Sequence, residues 1–119
     1  MENNDTVKLK RSKKSPVVIE LPTGSLAMEH YLNKYRRDIN DTLIDSFDYA
    51  IKKRFNGIEL FCFENSNYII IVNDKDFRDN IQNIFDYSLK NEDYDICTRA
   101  KKVMELLDRQ KFVISFKKK

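Results

Sequence analysis

Glycine, proline, tryptophan and histidine are nearly missing from this sequence, and the shortages narrow what the chain can do. It has two glycines, two prolines and no tryptophan in 119 residues, too little glycine for a glycine-rich phosphate loop. The only histidine is His30, and the only cysteines are Cys62 and Cys97, so catalytic triads and zinc sites have very little material to use. The two cysteines lack metal-type spacing and fall in elements expected to be buried, where a thiol is a packing residue. A reduced, cytoplasmic setting is the economical expectation. Every apolar run is interrupted by charge well before the ~20 residues a membrane span requires. Met1 to Lys14 is polar, without an apolar stretch of signal-peptide type, so no signal peptide is expected.

What is abundant is charge, at 34% of residues against 41% hydrophobic, with a net charge of +3. The length suits one domain with a single core. Lys8, Lys10, Arg11, Lys13 and Lys14, set against Glu2 and Asp5, give the first fifteen residues +3, and Lys117, Lys118 and Lys119 add another +3. The body from Pro16 to Phe116 is therefore left at −3 of the +3 total, so the positive excess belongs to the ends. The bias towards Lys, Asn, Ile, Asp, Tyr and Phe is what an AT-rich genome produces, and phages of low-GC hosts are one common source.

Hydrophobic periodicity divides the chain into elements. Residues 1–15 have almost nothing to bury and are expected to form a disordered basic tail. Val17 to Leu21 is a short β-prone run closed by Pro22-Thr23-Gly24. With Ser25 as its cap, a helical period follows through Met28, Leu32, Tyr35, Ile39, Leu43, Phe47, Ala50 and Ile51. That stretch reads as one long helix, or as two split between Ile39 and Thr42, and Gly57 supplies a left-handed turn at its end. Ile58–Phe63 and Tyr68–Val72, separated by Glu64-Asn65-Ser66-Asn67, predict a β-hairpin. Leu60 and Cys62 are expected on one face of it, Phe61 and Phe63 on the other. Such a sheet is apolar on both sides and needs cover on both.

Asn73 or Asp74 is expected to cap a helix striped by Phe77, Ile81, Ile84, Phe85 and Leu89. A further helix carries Tyr94, Ile96, Cys97, Ala100, Val103, Met104 and Leu107. The short link Lys90–Asp93 makes the pair an antiparallel αα-hairpin. Phe112, Ile114 and Phe116 alternate with Val113 and Ser115, which predicts a last strand.

Several motifs carry some chemistry, and most fail on a required residue. Ile19 to Ser25 is similar to the phosphate-loop segment of helicase-type ATPases, but Leu26-Ala27-Met28 stands where a second glycine and a lysine are needed. Asp74, Asp76 and Asp79 resemble the start of a calcium loop. The required glycine and bidentate glutamate are replaced by Asp79 and Phe85, so acids in a first helical turn are the better account. Asp38, Asp41, Asp45 and Asp48 repeat at helical spacing opposite the apolar stripe. They form either an acidic face for a basic partner or a solvated face neutralised by the i,i+4 pairs Lys34–Asp38, Arg37–Asp41 and Asp48–Lys52. Tyr94, Cys97, Ala100, Met104 and Leu107 resemble the UVR helical hairpin, a protein-contact module of nucleotide-excision repair proteins. Lys101-Lys102 replaces its usual Arg-Asp pair, and any amphipathic helical hairpin shares the pattern, so no family is assigned from it.

The expected fold is therefore α+β. A small antiparallel sheet, made of the central hairpin 58–63/68–72 and one or two short strands, is flanked by a long N-terminal helix and a C-terminal αα-hairpin. The domain spans residues 16–116, between basic tails at 1–15 and 117–119. The expected function is non-enzymatic: binding or assembly through contacts with a protein partner or a second copy, without cofactor, metal or membrane. The rival expectation is a nucleic-acid-associated regulator. It would grip phosphate with Lys8, Lys10, Arg11, Lys13, Lys14, Lys117, Lys118 and Lys119, although no aromatic lies among them to stack on bases.

Overall fold

The computed structural model describes residues 7–10 and 18–117, with 111–117 as backbone only. Among these residues the fold is α+β, as the sequence predicts. Its strands are β1 (Leu9–Lys10), β2 (Val18–Leu21), β3 (Gly57–Phe63) and β4 (Ile69–Asn73). Its helices are α1 (Ser25–Lys34), α2 (Arg36–Lys53), α3 (Phe77–Lys90) and α4 (Tyr94–Lys117). The strands form one sheet in the order β1-β2-β3-β4. The sheet is mixed, not antiparallel: β2 runs parallel to β3, with Ile19 beside Phe61 and Leu21 beside Phe63. Helices α1 and α2 form the crossover between these strands, and a parallel neighbour needs a connection of that kind.

The basic N-terminal segment is not wholly without structure. Leu9–Lys10 pairs antiparallel with β2, and the Glu20 N–H donates to the Lys8 carbonyl at 2.9 Å. Lys10 reaches Glu20 across the pair at 3.1 Å. At the other end, Phe112–Phe116 is the last part of α4, not a strand. No glycine or proline stands between Tyr94 and Lys119 to stop that helix, and continuing a helix adds one hydrogen bond per residue fixed.

The long N-terminal helix does break, but at Tyr35, one turn before the predicted split. Tyr35 adopts φ −110°, ψ 20° while the i→i+4 bonds Tyr35 N–H to Tyr31 and Ile39 N–H to Tyr35 run on through the break. The Ile39–Thr42 stretch remains helical because Ile39, Leu43, Ile44, Phe47, Ala50 and Ile51 bury together, and packing of that stripe overrides weak local propensity. The caps also differ from expectation. Gly24, at φ 95°, precedes α1, and Ser25 is its first helical residue. Arg54, at φ 60°, supplies the left-handed end of α2, while Gly57 opens β3. A Cβ at Gly57 would sit 3.1 Å from the Val72 carbonyl oxygen, so this glycine serves the close approach of β4. Before α3, the strand runs on to Asn73 and a 3-10 turn fills Asp74–Asp76.

The hairpin of β3 and β4 is as predicted, turned through Asn65 at φ 57°, a conformation asparagine tolerates. A bulge changes its faces. Ile58 opposes Val72 and Glu59 opposes Ile71, then the register slips so that Phe61 opposes Ile70 and Cys62 opposes Ile69. Leu60 is the extra residue, and a bulge lets two successive side chains share a side. Leu60, Phe61 and Phe63 accordingly all pack with Ile19, Leu21 and the helices, whereas Val18 and Cys62 stand outside that cluster. The simple alternation expected from the sequence is therefore corrected: Phe61 and Phe63 join the core side, and Cys62 leaves it.

Helices α3 and α4 form the expected antiparallel hairpin. The start of α3 meets the far part of α4 through Arg78 and Asp108 at 2.6 Å. Ile81, Ile84, Ile96, Ala100, Val103 and Leu107 close the core between them. On α3, Ser88 is buried where the stripe predicted Leu89, which is half exposed. The Ser88 hydroxyl has no hydrogen-bond partner among the described residues, and a buried hydroxyl left unpaired costs stability. Ser88→Ala should therefore raise the stability of the chain by about 1 kcal/mol, read as a higher midpoint in urea denaturation. A lower midpoint would mean that the hydroxyl is satisfied.

Candidate protein-contact surface

Among the described residues, the charged side chains singled out in the sequence do not gather into one site. Of the basic set, Lys8 is exposed and Lys10 is engaged with Glu20. Lys117 is the last residue of α4. Arg11, Lys13, Lys14, Lys118 and Lys119 lie outside the described residues.

The acidic stripe of α2 is partly an internal seam. Arg99, on α4, binds the carboxylates of both Asp41 and Asp45, and its guanidinium also reaches the Asp41 carbonyl. Asp48 pairs with Lys52 at 3.1 Å, which bears out that expected i,i+4 pair. Arg37 turns away from Asp41 and binds Asp93 at 3.2 Å and Asp95 at 2.9 Å, tying α2 to the start of α4. Asp38 lies in the first turn of α2, where the helix dipole favours negative charge. Charge periodicity on α2 marks the stripe, but its main cation lies 58 residues away from Asp41, beyond any local pattern.

Burial and the neighbouring Asp48 push the Asp45 carboxyl up, a load against which the Arg99 guanidinium acts. A carboxyl so raised favours folding below the ordinary carboxylate range and loses that contribution as pH rises through its folded value. At neutral pH its charge is thus held at a cost. Both thiols are also pushed up by burial, that of Cys62 with Lys10 opposing the rise. A thiol so raised is less readily ionised and so a poorer nucleophile.

Enzyme-like geometry is sparse among the described residues. One cavity, about 440 Å³, is lined by Ala50, Ile51, Phe55, Phe77 and Leu107 with Arg54, Asp74 and Lys75 at its polar side. His30 is exposed on α1 and is not among the residues that line this cavity. No group of three or more His, Cys, Asp or Glu side chains is placed to hold a metal among the described residues. No helix among them is long and apolar enough to cross a membrane.

The conspicuous surface is β4. Tyr68 is 79% exposed, Ile69 47%, Ile70 41% and Ile71 49%, and they are consecutive. Since β4 ends the strand order, no described strand pairs with its outer edge. Large apolar side chains scattered singly over a surface mean little, whereas a contiguous run at a strand without a described neighbour on its outer side presents backbone groups that can template pairing. Leu26, Leu89 and Tyr94 are exposed too, each on a separate helix. The sequence shows Tyr68–Val72 as a run without charge. It does not show that the bulge and the edge position leave that run uncovered.

No protein-family model matches the chain, and no curated protein or solved structure is similar to it.

Removing Arg99 should loosen α2 from α4. Arg99→Ala is expected to lower stability by about 1 kcal/mol at low salt and by less at high salt. Asp41→Asn should cost more than Asp45→Asn at pH 7, because the charge of Asp45 is held against burial and Asp48. Urea denaturation of the three variants checks the ranking, and equal costs would contradict it.

Proposed function

We propose that this chain is a non-enzymatic binding or assembly protein that acts through protein–protein contacts. The observation that carries the reading is the uncharged, exposed run Tyr68–Ile71 at the sheet edge with which no described strand pairs. Added strands are a recurrent mode of protein recognition, since the unpaired backbone groups supply affinity and the alternating side chains supply fit. Two buried, unpaired thiols suit a reducing compartment such as the cytoplasm. The Lys- and Asn-rich composition supports an AT-rich source such as a phage of a low-GC host.

The rival reading, phosphate contact by the basic ends, has lost part of its support, because Lys10 is occupied by Glu20. Trimming residues 1–15 would also remove β1, so that deletion no longer isolates a tail. A cleaner test is affinity capture with the full chain, before and after nuclease treatment, alongside Ile71→Lys. Protein retained through nuclease and lost on Ile71→Lys is the expected result. Retention that disappears with nuclease and falls steeply with salt would overturn the reading in favour of nucleic acid.

A further inference from the structure

We propose that the occupant of the β4 edge is a second copy of the same chain, paired antiparallel about a two-fold axis at Ile70. This inference deepens the protein-contact reading above and rests on it. The first ground is the direction of the backbone. The Asp74 N–H donates to the Asn56 carbonyl at 2.7 Å, so Gly57 and Asn73 form a pair that does not exchange hydrogen bonds, and Ile58 and Val72 form one that does. Alternation along an antiparallel strand then turns the N–H and C=O groups of Val72 and Ile70 towards β3. Those of Ile69, Ile71 and Asn73 point outward, where no described strand receives them. The Tyr68 N–H, on the inward side, is already taken by the Ser66 hydroxyl at 3.0 Å.

The second ground is the sequence of the edge. Asn67-Tyr68-Ile69-Ile70-Ile71-Val72-Asn73 reads nearly the same in both directions. A two-fold axis at Ile70 sets Ile69 opposite the partner's Ile71, Tyr68 opposite the partner's Val72, and Asn67 opposite the partner's Asn73. The Ile69–Ile71 pairs place outward backbone groups face to face, so each exchanges both of its hydrogen bonds. Aromatic and β-branched residues opposite one another are favourable cross-strand pairs. With no charge from Asn67 to Asn73, self-pairing brings no like charges together. That is the usual obstacle to pairing a strand with its own copy. A foreign strand would be selected by charge or by side-chain pockets, and this edge has no charge with which to select.

The third ground is burial. Ile69 and Ile71 share a face with Cys62 and Glu59 through their register. In the paired sheet they and their counterparts lie side by side as one apolar patch, each covering the flank of its cross-strand neighbour. The contact is narrow compared with the ~1,600 Å² of a standard interface, so association belongs in the micromolar range.

Sedimentation velocity of the full chain, from about 5 to 500 μM to bracket the association expected of so narrow a contact, tests the proposal. A monomer–dimer transition is expected within that range. Ile71→Lys, at a half-exposed position, should weaken it at least about tenfold with an unchanged circular dichroism spectrum. Ile70→Cys should cross-link to a dimer with oxidised glutathione, because residues facing across the axis in such a pair lie about 4.5 Å apart at Cα. Ile71→Cys and the unaltered chain should not. A chain that stays monomeric throughout, or a dimer indifferent to Ile71→Lys and without the Ile70→Cys cross-link, overturns self-pairing. Either result leaves the protein-contact reading to the capture experiment. Capture of nucleic acid alone would overturn that reading and leave the sedimentation result standing.

Discussion

The main cluster of buried side chains lies on one face of the sheet, and it governs where most of the apolar side chains go. Helices α2, α3 and α4 share one cluster with Ile19, Leu21, Ile58, Leu60, Phe61 and Phe63. A strictly alternating β3 could not deliver this, because it would send Phe61 and Phe63 away from Ile58 and Leu60. The bulge at Leu60 resolves the conflict by moving one residue out of register. It brings the two phenylalanines to the helices and sends Cys62 to the opposite face. It also fixes which way the isoleucines of β4 point, since each follows the β3 residue it opposes.

The charged residues serve this arrangement more than they advertise a ligand. Arg99 and Arg37 both cross from one helix to another to meet carboxylates, and Arg78 does the same between α3 and α4. Such contacts lie at least partly exposed, so each contributes little by itself. Their effect is directional: they hold α4 in one register along α2 and α3, where apolar packing alone tolerates sliding.

The parts of the fold that were legible in the sequence are those set by local periodicity. The stripes of α2, α3 and most of α4 follow a 3.6-residue repeat, and the four polar residues Glu64–Asn67 announce their hairpin. The misreadings arise where the answer depends on a distant neighbour. Phe112, Ile114 and Phe116 alternate like a strand, yet the chain there continues an unbroken helix. Gly57 has the look of a helix terminator, but its lack of a side chain is needed by Val72 across the sheet. Leu9–Lys10 is too short to show a period, and only its pairing with β2 defines it. The candidate surface was half legible in the same way: the uncharged run at Tyr68–Val72 is plain, while its position at the rim follows from the strand order.

The two rims of the sheet are unlike, and this limits how far any stacking of strands can proceed. β1 is two residues long, with Lys10 pinned sideways onto Glu20, and so brief and charged a rim is a poor template for further growth. Among the described residues β4 is the longer and uncharged rim, and a two-fold contact there would use that rim of both copies at once. In the proposed pair extension would terminate at two copies, and a greasy strand able to nucleate fibrils in a sheet open at both ends would be confined to a finite particle.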